Sequence, residues 1–93
     1  MKKIARRDKM KLYGDLLSIL QTEHAESEKI VLIHVQAKLS VPFDRLKGYL
    51  SDLESLNLIE DQVSYMLTPK GKQYLKEYQK VVDFMERMGI SYR

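Results

Sequence analysis

The residues best equipped for chemistry in this chain fall between Val41 and Leu58, in the run V-P-F-D-R-L-K-G-Y-L-S-D-L-E-S-L-N-L. Arg45 carries a planar fork of donors that matches the two acceptors on the major-groove edge of guanine. Lys47, and Lys38 just upstream, offer charges suited to phosphate, while Ser40, Tyr49 and Ser51 are neutral phosphate donors. Asp44 can accept from cytosine or serve as a local cap. This is recognition chemistry. Groupings for catalysis are missing. His24 and His34 are the only histidines, no H-x-x-x-H pair exists, and the chain has no cysteine. Disulfides and thiolate metal centres are therefore excluded. The sequence has no Gly-rich phosphate loop and no G-x-S-x-G turn, and Glu60 and Asp61 read as solvated turn residues. The expectation is a non-enzyme that needs no cofactor and no metal.

Phe43, Leu46, Leu50 and Leu53 recur at steps of three and four, so they share one side of a helix. At about 100° per residue, the opposite side carries Asp44, Gly48, Ser51 and Ser55, with Arg45 and Lys47 on its flanks. The leucines would anchor this helix and leave a narrow, small-residue ridge outward. Gly48 lies mid-ridge, where glycine costs roughly 1 kcal/mol against alanine. Close approach to another molecule would justify that cost; a merely tolerated surface glycine is the alternative.

The other elements follow from periodicity and punctuation. A first helix is predicted from about Asp8, its N-cap, to Thr22, with Met10, Tyr13, Leu17 and Leu20 on its apolar face. Thr22 to Lys29 is polar and reads as a connection. A second helix follows a short extended entry near Lys29 and runs to about Lys38, with Ile30, Ile33 and Ala37 on one face. Pro42 disfavours a helical Val41 and separates this helix from the next. Asn57 suits a left-handed helix end. Leu58–Glu60 and Ser64–Leu67 are predicted to pair as a β-hairpin around Asp61-Gln62-Val63. Thr68 and Pro69 then start a last helix, expected to reach about Met88 and stop at Gly89. Along it, Tyr74, Tyr78, Val81, Met85 and Met88 form a seam of heptad type. A helix about 30 Å long exceeds what this small core can cover. Its distal half is therefore expected to pair with a second copy of the chain, against the alternative of packing on its own domain.

The 93 residues make one small domain. Its parts are a basic arm over residues 1–7, a helical domain with a small hairpin over 8–68, and a C-terminal dimerisation helix over 69–93. Lys2, Lys3, Arg6, Arg7, Lys9 and Lys11 face Asp8 alone, so the first eleven residues hold more positive charge than the net +3 of the whole chain. Such arms bind nucleic acid or serve as solubilising tails. No apolar run reaches the roughly 20 residues of a membrane span, and no secretory core follows the basic start. A soluble, cytoplasmic protein with no membrane partner is expected.

The element order helix, helix, helix, hairpin, helix is that of a winged helix-turn-helix, mostly α, whose third helix enters the major groove. The run V-P-F-D-R-L-K-G-Y-L-S-D-L-E-S-L-N-L-I-E and the later Y-M-L-T-P-K-G-K-Q-Y-L resemble archaeal winged-helix proteins of the ten-a type and the broader PadR-like regulators. Size, basic start and layout are also similar to the site-binding proteins of archaeal plasmid partition, the AspA type. The resemblance implies a homodimer joined through the C-terminal helix and bound to a specific double-stranded site. It implies a role either at a partition centromere, with spreading along DNA and a partition adaptor or ATPase as partner, or in transcription regulation. The predicted DNA contacts are Lys2, Lys3, Arg6, Arg7, Lys38, Ser40, Asp44, Arg45, Lys47, Gly48, Tyr49 and Ser51. The competing reading is a protein-interaction adaptor on the same scaffold, favoured by a short, acidic wing that would oppose phosphate.

Overall fold

Asp8 opens the first helix by accepting a hydrogen bond from the Lys11 backbone N–H at 2.8 Å, as an N-cap does for the orphan donors of a first turn. The computed structural model describes residues 8–27 and 29–90. It contains α1 (Lys9–Glu26), α2 (Leu32–Leu39), α3 (Phe43–Ser55) and α4 (Pro69–Arg87). The basic arm lies outside the described residues.

The core is a leucine cluster. Leu16, Leu17 and Leu20 of α1, Val35 of α2, and Leu46, Leu50 and Leu53 of α3 are all fully buried. Each such side chain contributes roughly 1.5–3 kcal/mol by leaving water. α1 is the hub, packing against both α2 and α4. It runs a turn past the expected end at Thr22, into the stretch read as a connection. Contacts remote in sequence hold that turn: Glu23 accepts from Lys38 at 2.6 Å, and His24 Nε2 lies 3.2 Å from the Tyr65 carbonyl oxygen.

Two faces differ from expectation. In α2 the buried residues are Val35 and Leu39, whereas Ile33 is 62% exposed and Ala37 also faces outward. In α3 the three leucines are buried as expected, but Phe43, at the helix start, stays 40% exposed. The turn between α2 and α3 closes through Ser40 at φ 61°, and α3 is followed by Asn57 at φ 63°, the left-handed exit that asparagine tolerates.

The predicted hairpin is reduced to a single antiparallel pair, Ile59 with Leu67. The Glu60 N–H donates to the Met66 carbonyl at 2.8 Å, and the Thr68 N–H to that of Leu58 at 3.1 Å. No longer strand forms among the described residues. The reason is the turn's own chemistry. The Asp61 carboxylate collects the N–H groups of Val63 and Ser64, at 2.9 and 2.7 Å, and Tyr65 sits at φ 57°. The backbone that would extend a ladder is curled around one side chain.

The junction into α4 is tight. Thr68 caps the helix by accepting from the Gly71 N–H at 2.9 Å, while its hydroxyl donates to the Asn57 carbonyl at 2.6 Å. Gly71 lies directly against the Leu58 backbone, where a Cβ would collide with the carbonyl oxygen. At the far end Gly89 adopts φ 75°, and the Ile90 N–H reaches back to the Met85 carbonyl at 2.8 Å, a Schellman closure. Among the described residues no helix is long and apolar enough to cross a membrane. Gly71→Ala is expected to destabilise the fold by about 1–3 kcal/mol, because backbone must shift to admit the methyl group. A thermal melt lowered by roughly 4–8 °C per kcal/mol would register it; an unchanged melt would contradict the junction described.

Candidate nucleic-acid interface

With Leu46, Leu50 and Leu53 turned inward, the opposite face of α3 has to meet solvent. Asp44, Arg45, Lys47, Gly48 and Ser51 are all exposed. Arg45 and Lys47 make no ion pair or side-chain hydrogen bond among the described residues, so their donors are available. Asp44 is not a cap: Pro42 holds the N-cap position of α3, and no side chain bonds the first turn. Tyr49 is half-buried and packs against the core.

Gly48 has a distinct status among the glycines. Gly14 and Gly71 are required by their neighbours, since a Cβ would strike the Tyr78 ring or the Leu58 carbonyl, and Gly89 has a positive φ. A Cβ at Gly48 would meet nothing within 4 Å. The chain itself therefore supplies no reason for a residue that weakens the helix interior.

A link that the sequence pattern did not reveal holds the orientation of α3. The Tyr13 hydroxyl on α1 donates to Asp52 on α3 at 2.8 Å, and Lys9 approaches the same carboxylate at 3.7 Å. Burial, with the Asp52 bond next, pushes the Tyr13 phenol above its ordinary value. This tie fixes α3 against the hub without using a ridge residue.

Other predicted contacts are already engaged. Lys38 is bound to Glu23, and the Ser40 hydroxyl lies 3.4 Å from the Ala37 carbonyl. Tyr74 donates to the Met10 carbonyl at 2.8 Å, and Tyr78 is buried with its hydroxyl on Asp15 at 2.9 Å. The proximal part of the expected seam thus packs on its own subunit, because α1 offers Gly14 as a flat seat for the Tyr78 ring. Lys2, Lys3, Arg6 and Arg7 lie outside the described residues. The wing, from Leu58 to Leu67, contains no lysine or arginine, and Val63 at its tip is 86% exposed. Hydrogen bonds from the Ser64 and Val63 backbone hold the Asp61 carboxyl below its usual range, so it stays ionised. No cluster of histidine or carboxylate residues that could hold a metal occurs among the described residues.

Three helices over a leucine core, an exposed ridge on the third, and a closed turn joining it to a fourth define a helix-turn-helix module with an abbreviated wing. The Winged helix-turn-helix family model matches residues 6–86, and the chain belongs to that family. Neither a curated protein nor a solved structure matches it.

The Glu23–Lys38 pair makes stability depend on pH. The Lys38 hydrogen bond holds Glu23 below its ordinary value of 4.5, and the Glu23 bond raises Lys38 above 10.5. The carboxylate's contribution is present above its ordinary value and fades as pH falls through the lowered one. The lysine's is present below its ordinary value and fades as pH rises through the raised one. Glu23→Gln should therefore melt below the wild type at about pH 7 and converge with it in acid, once the pH has fallen through the lowered value of the carboxyl. A gap that persists in acid would assign the effect to packing.

Proposed function

We propose that the protein is a site-specific double-stranded DNA binder that places α3 in the major groove. The carrying observation is the ridge: Arg45 and Lys47, unpartnered among the described residues, stand on either side of an open Gly48, on a helix whose opposite face buries Leu46, Leu50 and Leu53. Arg45 reads a guanine edge and Lys47 holds phosphate. The missing side chain at Gly48 lets the helix backbone approach the bases, which accounts for a glycine the fold does not need. Membership of the winged helix-turn-helix family supports this reading, as do the basic residues Lys2, Lys3, Arg6 and Arg7, assigned here to the flanking backbone. The acidic wing takes no part in gripping phosphate.

The working unit is a homodimer. Past Tyr78, α4 leaves Phe84 and Met88 more than half exposed, with Val81 and Met85 half-buried, and Ile90 follows them half exposed. A second copy covering this stripe about a two-fold axis would set two α3 helices on successive major grooves, about 34 Å apart. The resemblance to PadR-like regulators and to archaeal partition proteins supports transcription regulation or plasmid partition as the setting.

Duplex binding should weaken steeply with salt, each neutralised phosphate adding about −0.9 to the log–log slope. Arg45→Ala should cost about 1–3 kcal/mol on a selected site and relax its sequence preference. Gly48→Ala should move two readouts in opposite directions: a fold stabilised by up to about 1 kcal/mol and a weaker complex. Flat, weak binding at low salt, or a Gly48→Ala variant that binds as well as the wild type, would count against the assignment. For the dimer, Val81→Glu should sediment as a monomer with its melt retained; a persistent dimer would place the interface elsewhere.

A further inference from the structure

A groove of about 470 Å³ runs between α1 and α4, and it is basic. Lys72, Lys76 and Lys80 line one wall at successive four-residue steps, with Ser18 and Gln21 of α1 opposite and Asp83 as the acidic exception. Lys72 and Lys76 have no partner among the described residues, and Lys80 is only loosely paired with Glu77, at 3.6 Å with both side chains well exposed. An exposed pair of this kind is worth little, so the positive charge of the ladder is not neutralised from within.

The position of the groove matters as much as its charge. On α1, Tyr13 is the residue tied to α3 and Glu23 the residue tied to α2. At about 100° per residue, Ser18 lies about 140° around α1 from each of them. The groove therefore opens on the back of the hub, away from the α3 ridge. On α4, Val81 and Met88 lie about 140° and 120° around the helix from Lys76. A dimer formed on that apolar flank leaves Lys72 and Lys76 uncovered, with Lys80 at its border about 40° from Phe84, and two lysine ladders would repel rather than pair.

We propose, resting on the DNA-binding reading above, that this groove is a second backbone-binding surface, so that a protein bound to one duplex through α3 holds a second duplex segment through Lys72, Lys76 and Lys80. The ladder spans about 12 Å along the helix, a length over which one DNA strand presents three or four phosphates, at about 3.4 Å of axis each. Ser18 and Gln21 supply the neutral donors that commonly accompany such cations. Leu75 is the sole apolar residue of the lining. The groove thus lacks the hydrophobic anchor points by which a docked peptide helix would be held, whereas a sugar–phosphate backbone requires none.

The test is capture of a fluorescent duplex by an immobilised one, with affinity for a single site-length duplex measured separately by anisotropy. The wild type should capture. The triple variant Lys72→Gln, Lys76→Gln, Lys80→Gln keeps good helix formers; it should capture at least tenfold less while its single-duplex affinity stays within twofold and its melt is unchanged. The matching triple arginine variant should capture like the wild type. Undiminished capture by the glutamine variant would overturn the proposal, as would a tenfold loss of its single-duplex affinity, which would fold the groove into the primary contact. A wild type that binds one duplex but captures no second sinks the groove alone; one that binds no duplex sinks the α3 reading first. Binding of a polyglutamate peptide at the ladder without duplex capture would put an acidic protein segment in place of DNA, and would equally overturn it.

Discussion

The fold hangs on the contact between the Gly71 backbone and the carbonyl of Leu58. It joins the end of the three-helix unit to the start of the last helix with no side chain between them. Thr68 surrounds it with directional bonds: its hydroxyl bridges the Asn57 carbonyl and the Gly71 N–H, and its own N–H closes on Leu58. Thr68 is buried, and a buried hydroxyl with its bonds unmade would be costly. Everything between these residues, including the small wing, is therefore clamped at its base. Lys70 adds a bond to the Leu56 carbonyl at 2.8 Å, where the C-terminal end of α3 favours a cation.

That clamp explains why the wing can be so slight. A longer hairpin would hold itself by a ladder; here the Asp61 carboxylate organises the turn and the Thr68 junction fixes its root. The structure spends its polar groups on shape in the wing and keeps them free on α3. Tyr13 and Asp52 follow the same division: the bond that orients α3 comes from its flank, so Arg45 and Lys47 carry no structural duty.

Local chemistry was the legible part of the sequence. Thr68, Pro69, Asn57 and Gly89 each announce a helix end by what the backbone needs at that point, and each sits where that need arises. The leucines of α3 announce its buried face in the same way. What escaped reading depends on partners far along the chain. The last turn of α1 looks like linker because its support comes from Lys38 and Tyr65. Tyr74 and Tyr78 obey a heptad spacing, yet the same spacing serves packing against a neighbour within the subunit, and only the empty Cα of Gly14 reveals the seat. The pairing of Lys38 with Glu23 is likewise hidden in the sequence, because the two lie on different helices. The α1–α4 groove is invisible for a related reason: its lysines are regular on α4, but its opposite wall comes from α1.

The two tyrosine hydroxyl bonds also set an order in time. Tyr74 with Met10 and Tyr78 with Asp15 join residues 64 and 63 positions apart, about two-thirds of the 93-residue chain. Closing so large a loop is slow relative to local helix formation. During synthesis the first three helices would leave the ribosome with one side of α1 still bare, and only the emergence of α4 seals it. The α1 face that receives α4 is thus the part of the core that closes after the other helices have met.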